Sequence, residues 1–442
     1  CYSFISLKCL NFISLHMNKK LLCISTNWPE ANATAAGVRM HELLAIFMSH
    51  GFKTTFLATS NHLEGQLALK EKGIITQQIL VNDASFDLLL KEIEPDVVLF
   101  DRFISEEQFG WRVRDILPNA VTILDTEDLH CLRTLREEQT ISYINEHKDA
   151  PYALFHHPTD LVHLNSKGQT KRELSSILRC DLNLVVSSFE MTVLVDHFKV
   201  PPHLCLLLPI TYQKQHLLAH RASRDYKERS GYFFIGNGLH KPNIDAIKCL
   251  YFSIWPLIKK QHKLAEIYIY GAYLPQQIKE LHKPNIGFHI IGAVKDVKAP
   301  FNKHKINLVP LRFGAGIKGK ILEGFVYGCP HITTAIGKEG MDYTMNWPGK
   351  VANESLEFAQ KAVSLYHDEF NWQILKSEGY KFIDQFFERS IHEIKYLDSL
   401  SKTLNNLADH RVKNFMGSLL KEQQFQASKY MSLWITEKNK NT

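Results

Sequence analysis

The residues of this chain best suited to chemistry crowd into one stretch, LVPLRFGAGIKGKILEGFVYGCP at 308–330. Gly314, Gly316 and Gly319 are spaced as G-x-G-x-x-G, a dinucleotide fingerprint. Gly314, Gly319 and Lys320 are spaced as G-x-x-x-x-G-K, most of a phosphate-binding P-loop. A P-loop needs Ser or Thr after Gly-Lys to hold magnesium, and Ile321 stands there. A dinucleotide fingerprint follows the first strand of its sheet and has an acidic ribose ligand about 20 residues on. This stretch comes late in the second of two strand–helix series, and Thr333 and Thr334 close the next strand. What the two patterns share is a device for holding an anion. Glycines let backbone N–H groups approach closely, and a helix N-terminus adds unpaired donors and a positive dipole. The spacing predicts a helix from about Ile317 through Tyr327. Lys318 and Lys320 fall in its first turn, unfavourable for cations unless an anion sits beside them. Glu323 follows one turn later on the face of Gly319 and Lys320. Such a cradle matches a nucleotide, diphosphate at the loop and ribose hydroxyls at Glu323; the alternative is a tight turn with solvated lysines and a surface glutamate.

Two series of elements must position this loop. The first reads as strands at LLCIST (21–26), KTTFLAT (53–59), PDVVLFD (95–101), AVTILDT (120–126) and LNLVVSS (182–188). A helical pattern at 35–51 follows the first strand. A break at 201–215 leads into a polar stretch, and the pattern restarts with YFFIGN (232–237), a helix over 243–260 and EIYIYG (266–271). IGFHIIG (286–292), INLVPL (306–311) and PHITT (330–334) complete a second sheet, and after about residue 355 the chain reads helical, with a long polar helix pattern over 390–438. Apolar strands separated by helices indicate parallel sheets. The expected fold is therefore α/β: two doubly wound Rossmann-like domains facing across a cleft, with a C-terminal helical segment. The expected divisions are an N-terminal extension at 1–16, a first domain at 17–215, a linker at 216–231, a second domain at 232–388 and C-terminal helices at 389–442.

In open α/β sheets ligands bind outside the carboxyl ends of the strands. Asp101, Arg102, Glu106 and Glu107 follow the third predicted strand; Asp125, Asp128 and His130 follow the fourth. They are expected to converge at one edge of the cleft, with Asp128 and His130 the strongest candidates. The alternative is helix capping by Asp101, Asp125 and Thr126, with ion pairs to nearby arginines. Ser188 reads as a helix N-cap, and Glu190 in the first turn could reach the cleft. His156, His157 and His163 lack a metal-ligand spacing, and no D-x-D, G-x-S-x-G or H-E-x-x-H occurs. No metal site is expected.

Composition sets the bounds. The 442 residues are 45% hydrophobic and 22% charged, with a net charge of +6 that is not concentrated in one block. Nucleic-acid binding is not indicated, and an anionic small ligand is equally compatible. Eight scattered cysteines without C-x-x-C read as reduced, buried thiols. No apolar run approaches the ~20 residues of a membrane helix. The chain begins without Met, and Met17, before NKK and the first strand, reads as the natural start. The rival, a signal or anchor, is interrupted by Lys8 and lacks a cleavage pattern, so the expected location is cytoplasmic.

Three blocks carry a resemblance to a known family: AAGVRMHELLAIFMSHG, FFIGNGLHKPNIDAI and PLRFGAGIKGKILEGFVYGCPHITTAIGKEGM. They resemble the GT-B-fold retaining glycosyltransferases of family 4, or group 1, in the subgroup whose loop reads G-A-G-x-K-x-K-x-x-E. The likeness runs from about Lys20 to Phe387. It implies metal-independent transfer of a sugar from a nucleoside diphosphate sugar, without a further cofactor. The acceptor is open: a glycan, a lipid-linked glycan, a protein or a small molecule. By resemblance Glu323 holds the ribose; Gly314, Gly316, Ile317 and Gly319 face the diphosphate; and Lys318 and Lys320 are its cations. Gly37, Arg312 and Gly340 are expected beside the donor, and His130 matches a histidine of many relatives. Two positions depart from the pattern. Ala315 stands where many members carry a glutamate, and Asn237 where many carry an arginine, for which Lys241, Arg312, Lys318 or Lys320 would substitute. Ala315 keeps open an epimerase or hydrolase of the same fold, or a catalytically silent nucleotide-sugar-binding protein.

Overall fold

In the computed structural model, described over residues 19–31, 34–62, 64–155, 159–221, 224–341, 343 and 346–440, the two series form two parallel sheets. The first comprises β1 (Lys20–Ser25), β2 (Lys53–Ala58), β3 (Ile75–Gln78), β4 (Val97–Asp101), β5 (Val121–Asp125), β6 (Leu182–Val185) and β7 (Cys205–Leu207). Their order is β3-β2-β1-β4-β5-β6-β7. The second comprises β8 (Tyr232–Ile235), β9 (Ile267–Tyr270), β10 (Phe288–Gly292), β11 (Ile306–Val309), β12 (His331–Thr333) and β13 (Lys350–Val351). Their order is β10-β9-β8-β11-β12-β13. Helices cover both faces, so every residue of β4 and β5 is buried, which is why these strands read as unbroken apolar runs. The strand order reverses between β1 and β4 and between β8 and β11. A doubly wound sheet opens its ligand crevice at such a reversal.

Three strands escape the sequence pattern. β3 is an exposed edge strand ending in two glutamines, β7 is three half-buried residues inside the predicted break, and β13 has two residues. The helix predicted over 243–260 divides into Lys241–Cys249 and Trp255–Gln261 around a wide turn at Leu250–Ile254. Pro256, which lacks an N–H to continue the hydrogen-bond ladder, accounts for the interruption.

The chain crosses between the sheets at Tyr212. Its N–H donates to the Phe387 carbonyl and its own carbonyl accepts from the Arg389 N–H, each at 2.9 Å, so the outward and return crossings lie side by side. The stretch expected as linker packs on the second half instead: Tyr226 donates to the Tyr366 carbonyl at 2.8 Å and Arg229 to the Phe301 carbonyl at 2.6 Å. After the return crossing, helices Arg389–Asn405, Leu407–Val412 and Phe415–Lys440 cover the first half, where Tyr396, Leu397 and Leu400 complete the core around Phe47. The six described cysteines are free thiols. Cys1, Cys9, the predicted extension and Met17 lie outside the described residues, as do His156 and His157. His163 pairs with Asp160 at the surface.

Candidate functional site

Between the halves, at the carboxyl ends of both sheets, lies a cleft of about 500 Å³. Two helix N-termini converge on it, those of Ala35–Ser49 and Gly319–Val326. They approach so closely that a Cβ on Gly319 would stand 2.9 Å from that of Ala35. Both present the positive end of their dipole to the same space. Gly316 adopts φ +63°, and a Cβ there would come within 2.9 Å of the Asp128 Cβ. Only glycine fits the loop at this point.

The polar groups of the loop line the cleft. Lys318 occupies the N-cap position and folds its ammonium back onto the Gly316 carbonyl at 2.8 Å. Burial holds its pKa below the ordinary lysine value, against the nearby Glu339. Lys320 donates to Asn243 Oδ1 and lies 4.3 Å from the Phe234 ring centre. Burial brings its ammonium down to about 7, against the attraction of Glu323. Glu323 is half-buried in the cleft wall, and no hydrogen bond or ion pair holds it among the described residues. Burial pushes its carboxyl up to about 7, with Lys320 opposing. Gly314, Ala315 and Ile317 also line the wall.

The first half supplies the opposite wall. Asp128 Oδ1 lies 3.5 Å from His130 Nε2, and Arg133 pairs with the other carboxylate oxygen. Burial would raise the Asp128 carboxyl, but Arg133, His130 and His240 outweigh it and hold it below its usual value. Burial drives His130 down to about 4 despite Asp128, so its imidazole is neutral at pH 7. Its ring packs edge-on to Phe103 at 5.3 Å. Arg102 and Glu127 also line this wall, in left-handed backbone conformations of φ +65° and +60°. Strain of this kind collects where side chains must be aimed. Burial and Asp125 raise the Glu127 carboxyl to about 8, and its Oε1 is buried without a hydrogen bond.

Several expected residues stand elsewhere. Gly37 lies in the first turn of the helix Ala35–Ser49, and its N–H is taken by Thr34 Oγ1 at 2.9 Å. What it provides is room, since a Cβ would meet the Glu30 carbonyl at 2.3 Å. Arg312 is turned away from the cleft, paired with Asp245 and donating to the carbonyls of Pro151 and Ala153. It anchors the 150s loop to the second half. Lys241 reaches out to Glu137 on the surface. Gly340, at φ +81°, packs against Ser187, whose Oγ a Cβ would meet at 2.2 Å. It joins the halves and does not line the cleft. Ser187, not Ser188, caps its helix; Ser188 donates across to the Gly340 carbonyl at 3.1 Å. Asp125 is locked to Arg39, Glu106 to Arg114 and Arg179, and Glu107 to Arg172 at the surface. Asp101 accepts from Ser25 Oγ at 2.5 Å and makes no side-chain cap.

Sequence reasoning placed Glu190 within reach of the cleft but not the clasp it forms around the glycine loop. Glu190 Oε1 accepts from the N–H groups of Leu129 in its own half and Gly316 in the other, at 2.9 and 2.8 Å. Arg136 donates to the Gly314 carbonyl at 2.7 Å and pairs through two nitrogens with Glu339. Asn243, which holds Lys320, also went unremarked. The available signal was position: Glu190 and Asn243 both follow a strand's carboxyl end.

Residues 229–368 match the family model of glycosyl transferases group 1. No curated protein matches the chain in sequence. Among solved structures, the glycosyltransferase of Rickettsia africae ESF-5 aligns with a TM-score of 0.59 and 12% identity, over 88% of this chain and 99% of that one. HepE of Anabaena in complex with UDP aligns at 0.62 and 11%, over 87% and 100%. TarM of S. aureus aligns at 0.61 and 10%, over 88% and 100%. At these identities the likeness concerns architecture. The chain has the GT-B fold of these glycosyltransferases, and the part of it that carries the glycine loop and Glu323 matches group 1 glycosyl transferases.

Proposed function

We propose that the cleft binds a nucleoside diphosphate sugar and that the chain transfers the sugar to an acceptor with retention of configuration and without a metal ion. The observation that carries this reading is the anion cradle paired with an unclaimed carboxylate, Glu323, one helical turn further on. In this reading the amides opening Gly319–Val326, with Lys318 and Lys320, hold the diphosphate, and Glu323 accepts the ribose hydroxyls. HepE has been crystallised with UDP and with UDP-glucose, which favours a uridine donor here.

The chemistry follows from charge. As the bond from the sugar's anomeric carbon to the diphosphate breaks, negative charge gathers on the phosphate oxygens. Two helix N-termini stabilise it, joined by the Lys318 and Lys320 ammonium groups once these turn from the Gly316 carbonyl and Asn243 to the phosphate oxygens. The acceptor oxygen bonds to the same face of that carbon and its proton passes to the departing diphosphate. Neutral His130 and ionised Asp128 are placed to hold the sugar ring. Closure of the halves about the paired crossings at Tyr212 and Phe387 would exclude water.

Ala315 favours a second reading, a nucleotide-sugar binder without transferase activity or an epimerase or hydrolase. Calorimetry with UDP and GDP tests the shared premise, and absence of binding by either would remove the nucleotide site. Glu323→Ala is expected to weaken binding about 10- to 100-fold, the value of hydrogen bonds to a charged group. Labelled donor incubated with cell extract separates the rest: a labelled acceptor supports transfer, converted donor alone supports the epimerase or hydrolase, and unchanged donor supports the binder. The anomeric coupling of the product reports retention.

A further inference from the structure

His240 occupies the N-cap position of the helix Lys241–Cys249 and yet makes no cap hydrogen bond. A side chain at this position ordinarily accepts from the helix amides, and Ser, Thr, Asp or Asn serves best. Among the described residues no hydrogen bond or ion pair holds the imidazole. The loop that carries it is nonetheless tightly built. Asn237 Oδ1 accepts from the Leu239 N–H, and the Asn237 carbonyl accepts from Asn243 Nδ2, both at 2.8 Å. The His240 N–H donates to that same carbonyl at 3.2 Å. A Cβ on Gly238 would meet the Tyr273 carbonyl at 2.3 Å, so the turn is packed against the chain behind it. Asn243 also holds Lys320 through its Oδ1, which ties this loop to the helix Gly319–Val326.

The next residue, Lys241, reaches the first half at Glu137, 2.5 Å away. Glu137 lies on the helix His130–Glu146, where His130, Arg133 and Glu137 follow one another turn by turn on one face. The pair seats the loop against that face, and His240 lines the cleft with Asp128, Arg133, Lys318 and Lys320. These are also its charged neighbours, two from each half. Burial between the walls brings the imidazole down to about 4, against the attraction of Asp128, so at pH 7 it is neutral and donates from one nitrogen. In the function proposed above the lysines hold the diphosphate and Asp128 the sugar ring. A side chain that neighbours both sets faces the place where sugar and diphosphate are joined. Resting on that reading, we propose that His240 donates a hydrogen bond to the phosphate that carries the sugar and stabilises it as it departs. The proton stays on the imidazole, and the bonds that break and form are those of the sugar transfer itself. Charge on the phosphate oxygens grows as the carbon–oxygen bond breaks, so a donor already in place gains most at that moment. Lys318 and Lys320 must first leave the Gly316 carbonyl and Asn243, whereas His240 has no partner to give up.

The test is calorimetry of the full chain with UDP and with UMP. UDP carries the charge that departure creates, and UMP lacks that phosphate, so the pair isolates the contact. His240→Ala is expected to weaken UDP binding about 10- to 100-fold, the value of a hydrogen bond to a charged group, and to leave UMP within about twofold. GDP and GMP serve in the same way if the cleft takes guanine. His240→Gln keeps an N–H donor on a side chain of similar reach and should recover most of the UDP affinity. Equal losses for UDP and UMP would show a disturbed loop, and unchanged UDP affinity an uninvolved ring. Either overturns the proposal, as does a Gln variant that binds UDP no better than the Ala variant. An unaltered protein that binds neither pair fails earlier, at the nucleotide site itself, and takes this assignment with it.

Discussion

Lys320 and Glu323, one helical turn apart, both titrate near pH 7 because the cleft wall strips each of water. A bound diphosphate would raise the Lys320 pKa, so its attraction is fully present below pH 7 and is lost as pH rises through the bound-state value. Ribose hydroxyls donating to Glu323 would lower its pKa, so its share is present above pH 7 and is lost as pH falls. Nucleoside diphosphate affinity should therefore peak near neutrality, with proton uptake on the alkaline side. Lys320→Arg, which stays charged, should flatten the alkaline limb in calorimetry between pH 7 and 9. An unchanged limb would remove Lys320 from the phosphate site. His130 is tuned in the other direction, to about 4, and suits hydrogen bonding better than proton donation at neutral pH.

At the scale of elements, the loop works because short segments end where they do. The helix Gly319–Val326 begins at the cleft because β11 ends there, and the helix Ala35–Ser49 faces it because β1 does. The same logic ties the C-terminal helices to the sheet through Asp181. This buried carboxylate accepts from Arg411 at 2.8 and 2.7 Å and from the N–H and hydroxyl of Thr122 at 2.9 Å. Burial would raise its pKa, but Arg411 and Lys421 outweigh burial and hold it below the usual value. The stability it lends is thus present above the unfolded-state pKa of about 3.9 and is lost as pH falls through the lower folded value. Asp181→Asn should cost about 3 kcal/mol in urea unfolding at pH 7 and reduce the acid sensitivity.

Across the whole molecule the halves touch through partners far apart in sequence. Arg136 spans from the first half to the Gly314 carbonyl and Glu339 in the second, and Glu190 holds the Gly316 amide. Both hold the glycine loop of the second half from the first. Arg136→Ala leaves Glu339 and the Gly314 carbonyl without this partner. It should raise the radius of gyration in small-angle scattering without nucleotide, while each half keeps its own secondary structure. An unchanged radius would show that the clasp does not hold the halves together.

The glycine loop, its lysines and Glu323 were legible in the sequence because their chemistry is local: a strand end, a turn and one helical turn place them together. Apolar strands buried on both faces made the two parallel sheets equally legible, while β3, β7 and β13 were too short or too exposed to leave a pattern. Local spacing could not say which polar side chains point into the cleft. Arg312, Gly340 and Glu106 lie beside strand ends and yet are consumed by Asp245, Ser187 and the arginine pair. Nor could it say which side of the last helix faces out, since burial depends on the neighbour that packs against it. The sequence by itself determined the sheets and the grouping of the glycine loop with its lysines and Glu323, whose interactions span a few residues. Only the tertiary structure decided the clasp and the opposing wall, because those depend on pairings between distant residues that no local rule specifies.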